Sequence, residues 1–366
     1  MILTSNPKKN YFSYKKELDN AIQSVLNNGK YVLGKNVRLF EKEFSKYIQS
    51  KYCVSVASGT DAIILGLLAL GIKKGDEIIT TNFTANATVT AICSVGAIPK
   101  TIDIDENFFH LDENKIKDQI NKNTKAIIAV HLYGQSCNIF EIKKIARKYN
   151  LKLIEDCSQA HGAEYKNIKL GNFGDLGTFS FYPTKNISAI GDAGAVTTNN
   201  KSIYNKLILL REYGWKKRYY SSQFGTNSRL DEIQASILRV KLKKNKNEIK
   251  KRVKIATKYN REIINPLIKI PKIRKESTHV FHLFVITINP KLRNRLVNYM
   301  KKKNIICLIQ YPYTINEQKF FKKIIKKNNF QISSKISRSV MSLPIYPELK
   351  IKEQNKVIKL LNEFKN

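Results

Sequence analysis

The sequence predicts an α/β protein with a mostly parallel sheet, followed by a smaller α+β domain. Short β-prone runs alternate with amphipathic, helix-prone runs through the first two thirds of the chain. Beyond a stretch typical of an inter-domain link, residues 265–272, a smaller set of strands and helices follows. We therefore expect a large domain over residues 1–255 and a small C-terminal domain over residues 256–366.

The composition is that of a soluble globular protein. Of its 366 residues 42% are apolar and 26% are charged. The longest apolar run, residues 62–72, is too short to span a bilayer, and the N-terminus lacks the apolar segment of a signal peptide. The five cysteines are scattered and lack C-x-x-C spacing, which indicates reduced thiols. We expect a cytoplasmic protein with no membrane contact and no metal site.

The net charge of +36 is large, but it is spread over the whole chain. A nucleic-acid-binding surface is predicted by a clustered basic stripe with interleaved aromatic residues, or by a known module, and neither is evident. The many lysines, together with many isoleucines and asparagines, fit a bias in overall composition. We expect no nucleic-acid partner; a positive field can still help to collect a phosphate-bearing substrate.

The first elements contain a turn that could bind an anion. Helices are predicted at residues 13–28 and 37–48, then a strand at 53–56 and a helix that continues to residue 70. Between strand and helix lie Ser58, Gly59 and Thr60. Glycine lets backbone N–H groups approach an anion, and a helix N-terminus offers free donors and a positive dipole end. An ordinary helix cap by Ser58 or Thr60 explains the same residues.

Asp156 ends the last of the next strands. Strands at 78–81, 99–104, 126–131 and 151–156 alternate with helices at 87–94 and 139–149. In parallel sheets, ligands bind at the carboxyl ends of strands. An acidic residue in a buried crevice there needs a cationic partner. The alternative is a structural carboxylate that caps the following segment.

Lys185 is predicted on a loop between two short strands, residues 178–182 and 195–198. A lysine in a partly apolar pocket has its ammonium form disfavoured, so its amine can attack a carbonyl carbon. The alternative is a solvated surface lysine.

The remaining elements are mostly helices. We predict helices at 203–213, 225–255, 292–303, 317–327 and 352–364, with strands at 279–288 and 305–309.

Together the turn, Asp156 and Lys185 meet the needs of pyridoxal 5′-phosphate. A lysine amine would hold its aldehyde, a carboxylate would keep its ring nitrogen protonated, and a helix N-terminus would hold its phosphate.

The chain resembles the DegT/DnrJ/EryC1/StrS family of sugar aminotransferases. The resemblance covers nearly the whole chain and rests on several ordered motifs: 58–62 (SGTDA), 75–77 (GDE), 130–135 (VHLYGQ), 155–162 (EDCSQAHG), 179–186 (FSFYPTKN), 191–195 (GDAGA) and 227–235 (NSRLDEIQA). It implies the aspartate-aminotransferase (type I) fold, with helices on both faces of the large-domain sheet.

The resemblance also implies roles for individual residues. Lys185 matches the lysine that binds the cofactor and then moves a proton, and Asp156 matches the partner of the ring nitrogen. Gln159 matches the residue near the ring oxygen. The phosphate contacts match Gly59, Thr60, Ser180 and, from the neighbouring subunit of a homodimer, Asn227. We further expect substrate contacts from Tyr31, Tyr182, Arg229, His282 and Gln310, whereas His161 is equally explained as a core residue.

Lysine rather than histidine at position 185 implies amine transfer instead of sugar dehydration. The expected donor is glutamate, and the expected acceptor is a keto group of a nucleotide-linked deoxy sugar. Residues 185–194 resemble the branch that acts on 3-keto sugars, so C3 is preferred over C4. Another type I reaction, such as aldol cleavage or desulfuration, is disfavoured by the motif at 227–235. The chain departs from the family at Ala85, where an aromatic residue is common, and at Gln310, where histidine is common.

Overall fold

The computed structural model describes residues 1–325 and 329–365. The helices in this part of the chain are α1 (Pro7–Ser13), α2 (Lys15–Asn28), α3 (Lys35–Ile48), α4 (Gly59–Ala69), α5 (Asn86–Ser94), α6 (Ile139–Lys148), α7 (Lys201–Leu210), α8 (Glu232–Glu262), α9 (Pro290–Lys302), α10 (Gln331–Ser339) and α11 (Ile351–Glu363). The strands are β1 (Tyr52–Val56), β2 (Glu77–Thr81), β3 (Ile98–Ile102), β4 (Thr124–Val130), β5 (Lys152–Asp156), β6 (Glu164–Tyr165), β7 (Ile168–Lys169), β8 (Leu176–Ser180), β9 (Gly194–Thr198), β10 (Trp215–Lys217), β11 (Tyr220–Ser221), β12 (Ile268–Lys269), β13 (Phe284–Ile288) and β14 (Val340–Leu343).

The central sheet has seven strands in the order β1-β9-β8-β5-β4-β2-β3. Strand β9 runs antiparallel to both of its neighbours, and the other pairs are parallel. The predicted mostly parallel α/β sheet is therefore confirmed. Its carboxyl edge brings the ends of β5 and β8 side by side, since Asp156 is in register with Thr178.

A separate apolar core lies on each face of this sheet. Successive residues of a strand point to opposite faces, so Ile78 packs into one core and Ile79 into the other. Helices α3, α6 and α8 cover one face, and α4, α5 and α7 cover the other. Because both faces are covered, successive residues of a strand are buried in turn; all five residues of β2 and all five of β9 are buried.

Helix α8 connects the large sheet to the C-terminal region. Near its start, Ala235 and Leu238 lie in the core of the large sheet; near its end, Ala256 and Tyr259 lie in a third core. That third core is built on the antiparallel sheet β12-β13-β14 with α9 and α11. The helix runs past residue 255 without a break, and the domain boundary there stays a prediction.

Several C-terminal elements differ from the sequence-based predictions. Residues 305–309 form only isolated bridges, Ile305 with Ile2 and Leu308 with Ser342 of β14, because the segment meets each neighbour at a single position and forms no continuous ladder. The presumed link 265–272 contains β12, which pairs with β13. The helix predicted at 317–327 is replaced by short 3₁₀ turns at Ile315–Glu317 and Phe321–Lys323; its last two residues lie outside the described part.

Other predicted elements have different bounds. The helix predicted at 13–28 is α2, which begins at Lys15; the preceding α1 was not predicted and is separated from α2 by the non-helical Tyr14, whose φ is −129°. The strand expected at 279–288 is restricted to β13, and residues 279–283 are loop. Helix α10 and strand β14 were not predicted. No helix in the described part of the chain is both long and apolar enough to cross a bilayer.

Candidate active site

Lys185 lies on the loop that joins β8 to the antiparallel β9. Its backbone N–H donates to the Tyr182 carbonyl at 2.8 Å, which closes a tight turn. The fully buried side chains of Phe181 and Ile187 hold the loop in the core of the large sheet. The neighbouring Asn186 donates its side-chain N–H to the Val280 carbonyl at 3.2 Å. Lys185 is thus attached to a rigid support on both sides.

The surroundings of Lys185 favour its neutral amine. Burial lowers the pKa of Lys185 to about 8, while the charge of Asp156 acts in the opposite direction. The nearby His161 and His282 are buried as well, and burial lowers the pKa of both, that of His161 to about 3. His161 packs against Phe179 and Phe181, which identifies it as a neutral core residue.

Asp156 is the last residue of β5, and its carboxylate is only 5% exposed. One carboxylate oxygen accepts a hydrogen bond from the Thr88 hydroxyl at 3.0 Å, and the other accepts the Ser158 N–H at 3.1 Å. Both bonds hold the carboxylate at the edge of the sheet. Thr88 lies on α5, so two elements orient this group.

The preceding residue, Glu155, anchors the end of β5. Its carboxylate accepts backbone N–H groups of Gly171, Phe173 and Gly174 and contacts His131 Nε2 at 3.1 Å. With Cys157 these side chains form a buried group with closely spaced potential metal-ligand atoms. Because the Glu155 oxygens are already occupied by backbone donors, we interpret the group as structural support for Asp156.

The turn at Ser58 and Gly59 opens α4 against the ends of β8 and β9. Ser58 caps the helix, since its side chain accepts the Asp61 N–H at 3.1 Å. A Cβ on Gly59 would lie 2.5 Å from Ser180 Cβ, and a Cβ on Gly194 would lie 2.2 Å from the Ser58 carbonyl oxygen. Only glycine fits at these two positions. The Ser58 cap and the predicted anion-binding turn are therefore one structure, and Ser58, Gly59 and Thr60 line a pocket.

A pocket of about 310 Å³ brings these groups together. Nine predicted site residues line it: Gly59, Thr60, Asp156, Gln159, Ser180, Tyr182, Lys185, His282 and Gln310. A larger cavity of about 560 Å³ lies near Phe109 and Val285 and contains neither Lys185 nor Asp156. We place the site in the smaller pocket because the nucleophile and the carboxylate meet there.

Three predicted site residues lie outside this pocket. Asn227 is exposed on the segment before α8, Arg229 forms an ion pair with Glu212 at 3.5 Å, and the Tyr31 ring is 50% exposed. The Asn227 segment nevertheless adjoins the anion turn, since the Ser228 hydroxyl bonds to Asp61 at 2.9 Å. A single chain does not direct these three side chains into its own pocket.

Sequence reasoning missed Thr88 and Tyr311. The Tyr311 hydroxyl accepts a hydrogen bond from Gln159 Nε2 at 2.9 Å, and its ring lines the pocket. A signal for Thr88 was available, because it follows Ala85 on a helix that begins at a strand end. Neither partner could be paired from sequence, since the contacts join residues 68 and 152 positions apart.

Comparison with known proteins decides the family. The sequence profile of the DegT/DnrJ/EryC1/StrS aminotransferase family matches residues 13–362. The chain belongs to this family. It is 43% identical over 351 residues to dTDP-3-amino-3,6-dideoxy-alpha-D-galactopyranose transaminase of Aneurinibacillus thermoaerophilus, with 96% of each chain covered.

Two solved structures share the fold of this sugar aminotransferase. DesV of S. venezuelae, in complex with a ketimine intermediate, superposes with a TM-score of 0.96 at 33% identity, covering 99% of this chain and 97% of that chain. NtdA of Bacillus subtilis, with bound cofactor PMP, gives a TM-score of 0.89 at 31% identity, covering 95% and 81%. The type I fold is confirmed, and the cofactor of the aminotransferase is pyridoxal 5′-phosphate.

The residues of the pocket fit this cofactor. Lys185 offers an amine with a lowered pKa, and Asp156 offers a carboxylate fixed by two donors. The glycine-bounded turn of α4 leaves first-turn N–H groups for a phosphate. Ala85 lines the wall without an aromatic ring; the aromatic side chains that do line the pocket are Tyr182, His282 and Tyr311.

Proposed function

We propose that this aminotransferase moves the amino group of glutamate to the C3 keto group of a nucleotide-linked deoxy sugar. One observation supports this proposal above all: Lys185, whose amine has a lowered pKa, lines the same pocket as the buried Asp156 carboxylate. The C3 preference is supported by residues 185–194 and by the 43% identical relative, whose name specifies a 3-amino sugar. Amination at C4 is the second candidate, because the family contains both branches.

In this proposal Lys185 has two tasks. Its amine would hold the aldehyde carbon of the cofactor, with loss of water, and after the donor's amine had displaced it, it would carry a proton to and from the substrate carbon. When bound, pyridoxal phosphate serves as the electron acceptor that stabilises a carbanion at the substrate carbon. The lowered pKa of Lys185 supports both tasks, since a neutral amine can attack and can accept a proton at neutral pH.

The other pocket residues bind and orient. Asp156 would hold a proton at the ring nitrogen, and Thr88 would keep the carboxylate aimed. The N–H groups of Gly59 and Thr60, with the hydroxyls of Thr60 and Ser180, would hold the phosphate. Tyr182, His282 and Gln310 are left to face the sugar.

We assign Tyr31, Asn227 and Arg229 to the site of a second copy of the chain. Asn227 is exposed here and does not reach its own pocket, although its segment is tied to the anion turn. A homodimer in which each copy contributes to the site of the other would give Asn227 a phosphate to bind.

Absorption spectroscopy tests the function directly. The purified, cofactor-loaded protein should be yellow, and its lysine-linked absorption band should bleach when glutamate is added. Lys185→Ala should lose that band and all turnover, while the control Lys144→Ala, which removes an exposed lysine of α6, should retain both. A protein that gains no such band with added cofactor is not an enzyme of this kind. A band that glutamate leaves unchanged would favour another type I reaction.

The acceptor requires a panel of 3-keto and 4-keto nucleotide sugars incubated with glutamate. Mass spectrometry and NMR of the products identify the aminated carbon. We expect product from the 3-keto sugars. Product from the 4-keto sugars alone would replace C3 by C4 in the proposal.

A further inference from the structure

The side-chain amide of Gln159 has one possible orientation. The backbone N–H of Tyr133 donates to it at 2.8 Å, and a backbone N–H can only donate. The atom that receives this bond must therefore be the amide oxygen. The amide nitrogen then faces the Tyr311 hydroxyl at 2.9 Å and must donate to it. Amide orientations are usually ambiguous, but the backbone donor removes the ambiguity here.

This arrangement leaves the proton of the Tyr311 hydroxyl for the pocket. The hydroxyl oxygen accepts from Gln159, so its own O–H has to find another acceptor. Within residues 1–325 and 329–365, this O–H makes no hydrogen bond to a protein acceptor; the hydroxyl's one bond is the bond it accepts from Gln159. Burial raises the pKa of Tyr311 to about 12, so the proton is present at neutral pH. The O–H is therefore free to donate to a molecule bound in the pocket.

The hydroxyl is held in place from two sides. The Tyr133 hydroxyl donates to the carbonyl of Gln310, and the Tyr133 backbone N–H donates to Gln159. Tyr133 is therefore bonded both to Gln159 and to the residue before Tyr311. Tyr133 adopts a φ of +62°, which is unfavourable for a side chain of this size and is maintained by its surroundings.

Beyond Tyr311, the segment 311–318 is docked on the loop that carries Ala85. The side chain of Asn82 donates to the Asn316 side chain and accepts from the Asn316 backbone N–H. The side-chain amides of Asn86 and Gln318 bond to each other in both directions. The two departures from the family pattern, Ala85 and Gln310, both line the pocket, as Tyr311 does. Tyr311 is thus held there as a fixed donor.

We propose that Tyr311 is a further catalytic residue, whose O–H donates to the ring oxygen of the bound cofactor beside Gln159. The inference rests on the proposed placement of Gln159 at that oxygen. Two observations place Tyr311 beside the side chains that would hold the ring: its hydroxyl lies 2.9 Å from Gln159 Nε2, and it is near enough to Asp156 to interact with its charge. A sugar oxygen is the other acceptor of the same chemistry, and the experiment separates the two.

The expected effect has a defined sign. A donor to the ionised ring oxygen withdraws charge from it, and so weakens the hold on the proton shared between that oxygen and the lysine-linked nitrogen. Removing the donor strengthens that hold. The pH midpoint of the lysine-linked absorption band should therefore rise.

The experiment is a pH titration of that band in the loaded enzyme, without sugar, for wild type, Tyr311→Phe and Tyr313→Phe. We expect Tyr311→Phe to raise the midpoint by about one unit, a tenfold change, and to weaken cofactor binding to the apo-enzyme. Tyr313 is 65% exposed on the same segment, and Tyr313→Phe should match wild type. An unchanged midpoint with a raised KM for the sugar assigns the O–H to the sugar and overturns the proposal.

A second variant tests the proposal even if Tyr311→Phe alters the packing of segment 311–318. In Gln159→Glu the carboxylate still accepts the Tyr133 N–H, but its second oxygen now accepts the Tyr311 O–H and turns that proton away from the pocket. Adding Tyr311→Phe to Gln159→Glu should then change the midpoint little, whereas independent roles would give additive shifts and contradict the proposal. If wild type itself shows no lysine-linked band, the proposed function fails instead.

Discussion

At the scale of single residues, the site depends on groups whose ordinary behaviour is altered by burial. Lys185 is one basic residue among 65, and its type alone predicts nothing. What distinguishes it is a loop anchored by Phe181 and Ile187, which holds the lysine half-buried in the lining of the pocket. Asp156 likewise differs from surface carboxylates because Thr88 and Ser158 hold both of its oxygens.

The first residue-scale prediction concerns pH. Since the pKa of Lys185 in the folded chain is lowered to about 8, its neutral fraction falls about tenfold per unit below pH 8 and levels off above it. The rate at which apo-enzyme binds pyridoxal phosphate covalently should follow this fraction, rising from pH 6 to pH 8. Stopped-flow absorbance measures the rate. A profile that keeps rising to pH 10 would indicate an ordinary lysine.

The second residue-scale prediction concerns Thr88. Thr88→Val keeps the shape but removes the donor to Asp156, and hydrogen bonds to charged groups contribute about 1.5–3 kcal/mol. We expect about a tenfold loss in kcat together with a lower unfolding temperature, because the same bond also contributes to stability. Thr90→Val, on the exposed face of the same helix, is the control. Equal activity of the two variants would remove Thr88 from its positioning role.

At the scale of elements, the ends of β5, β8 and β9 and the start of α4 form one surface. The antiparallel β9 is essential to it, because its first residue, Gly194, lies directly against the carbonyl of Ser58. A strand with a side chain at that position would push the anion turn out of place. The parallel strands supply Asp156, and the reversal at β9 supplies the loop for Lys185.

The element-scale prediction follows from that contact. Gly194→Ala places a Cβ 2.2 Å from a backbone oxygen, and such overpacking typically costs about 1–3 kcal/mol. We expect the clash to be relieved partly by displacement of the turn, and this displacement should lower cofactor affinity about tenfold. Equilibrium titration of apo-enzyme with pyridoxal phosphate measures it. Gly191→Ala is the control, since its added Cβ would meet only the flexible end of Gln234. If both variants bind the cofactor alike, the close packing is irrelevant to affinity.

The sequence predicted the strands and helices of the large sheet well, because each is a continuous run of apolar or amphipathic character. It failed in the C-terminal region. Helix α10 has only nine residues and buries Ser333, Ser337 and Ser339 together with Ile336, so few apolar residues mark its inner face in the sequence. The apolar run at 305–309 looked like a strand, yet strand pairing depends on a neighbour that lies elsewhere in the chain.

At the scale of the whole molecule, the described chain places nine of the predicted site residues in one pocket and leaves three outside it. Asn227 is the informative one, because it is exposed while Ser228 next to it is buried against the anion turn. An exposed side chain next to a buried one is the pattern expected if Asn227 contributes to the site of a second copy across a symmetric interface.

The whole-molecule prediction uses hybrid dimers. Lys185→Ala and Asn227→Ala should each be impaired, since one lacks the amine and the other the proposed phosphate contact. In a hybrid of the two, one site keeps both residues. After subunit exchange an equal mixture should regain about a quarter of wild-type activity, because half of the dimers are hybrids with one intact site of two. Activity no higher than the mean of the two separate variants would place Asn227 outside the partner's site.

The sequence by itself determined the fold class, the family, the cofactor and the positions of Lys185, Asp156 and the anion turn. Each of these features is encoded in a short stretch of sequence, and such a stretch can be recognised without knowledge of the fold. Only the tertiary structure decided that Thr88 orients Asp156 and that Tyr311 meets Gln159. Those contacts join distant parts of the chain, and they depend on how the C-terminal region packs against the edge of the sheet, which no local pattern encodes.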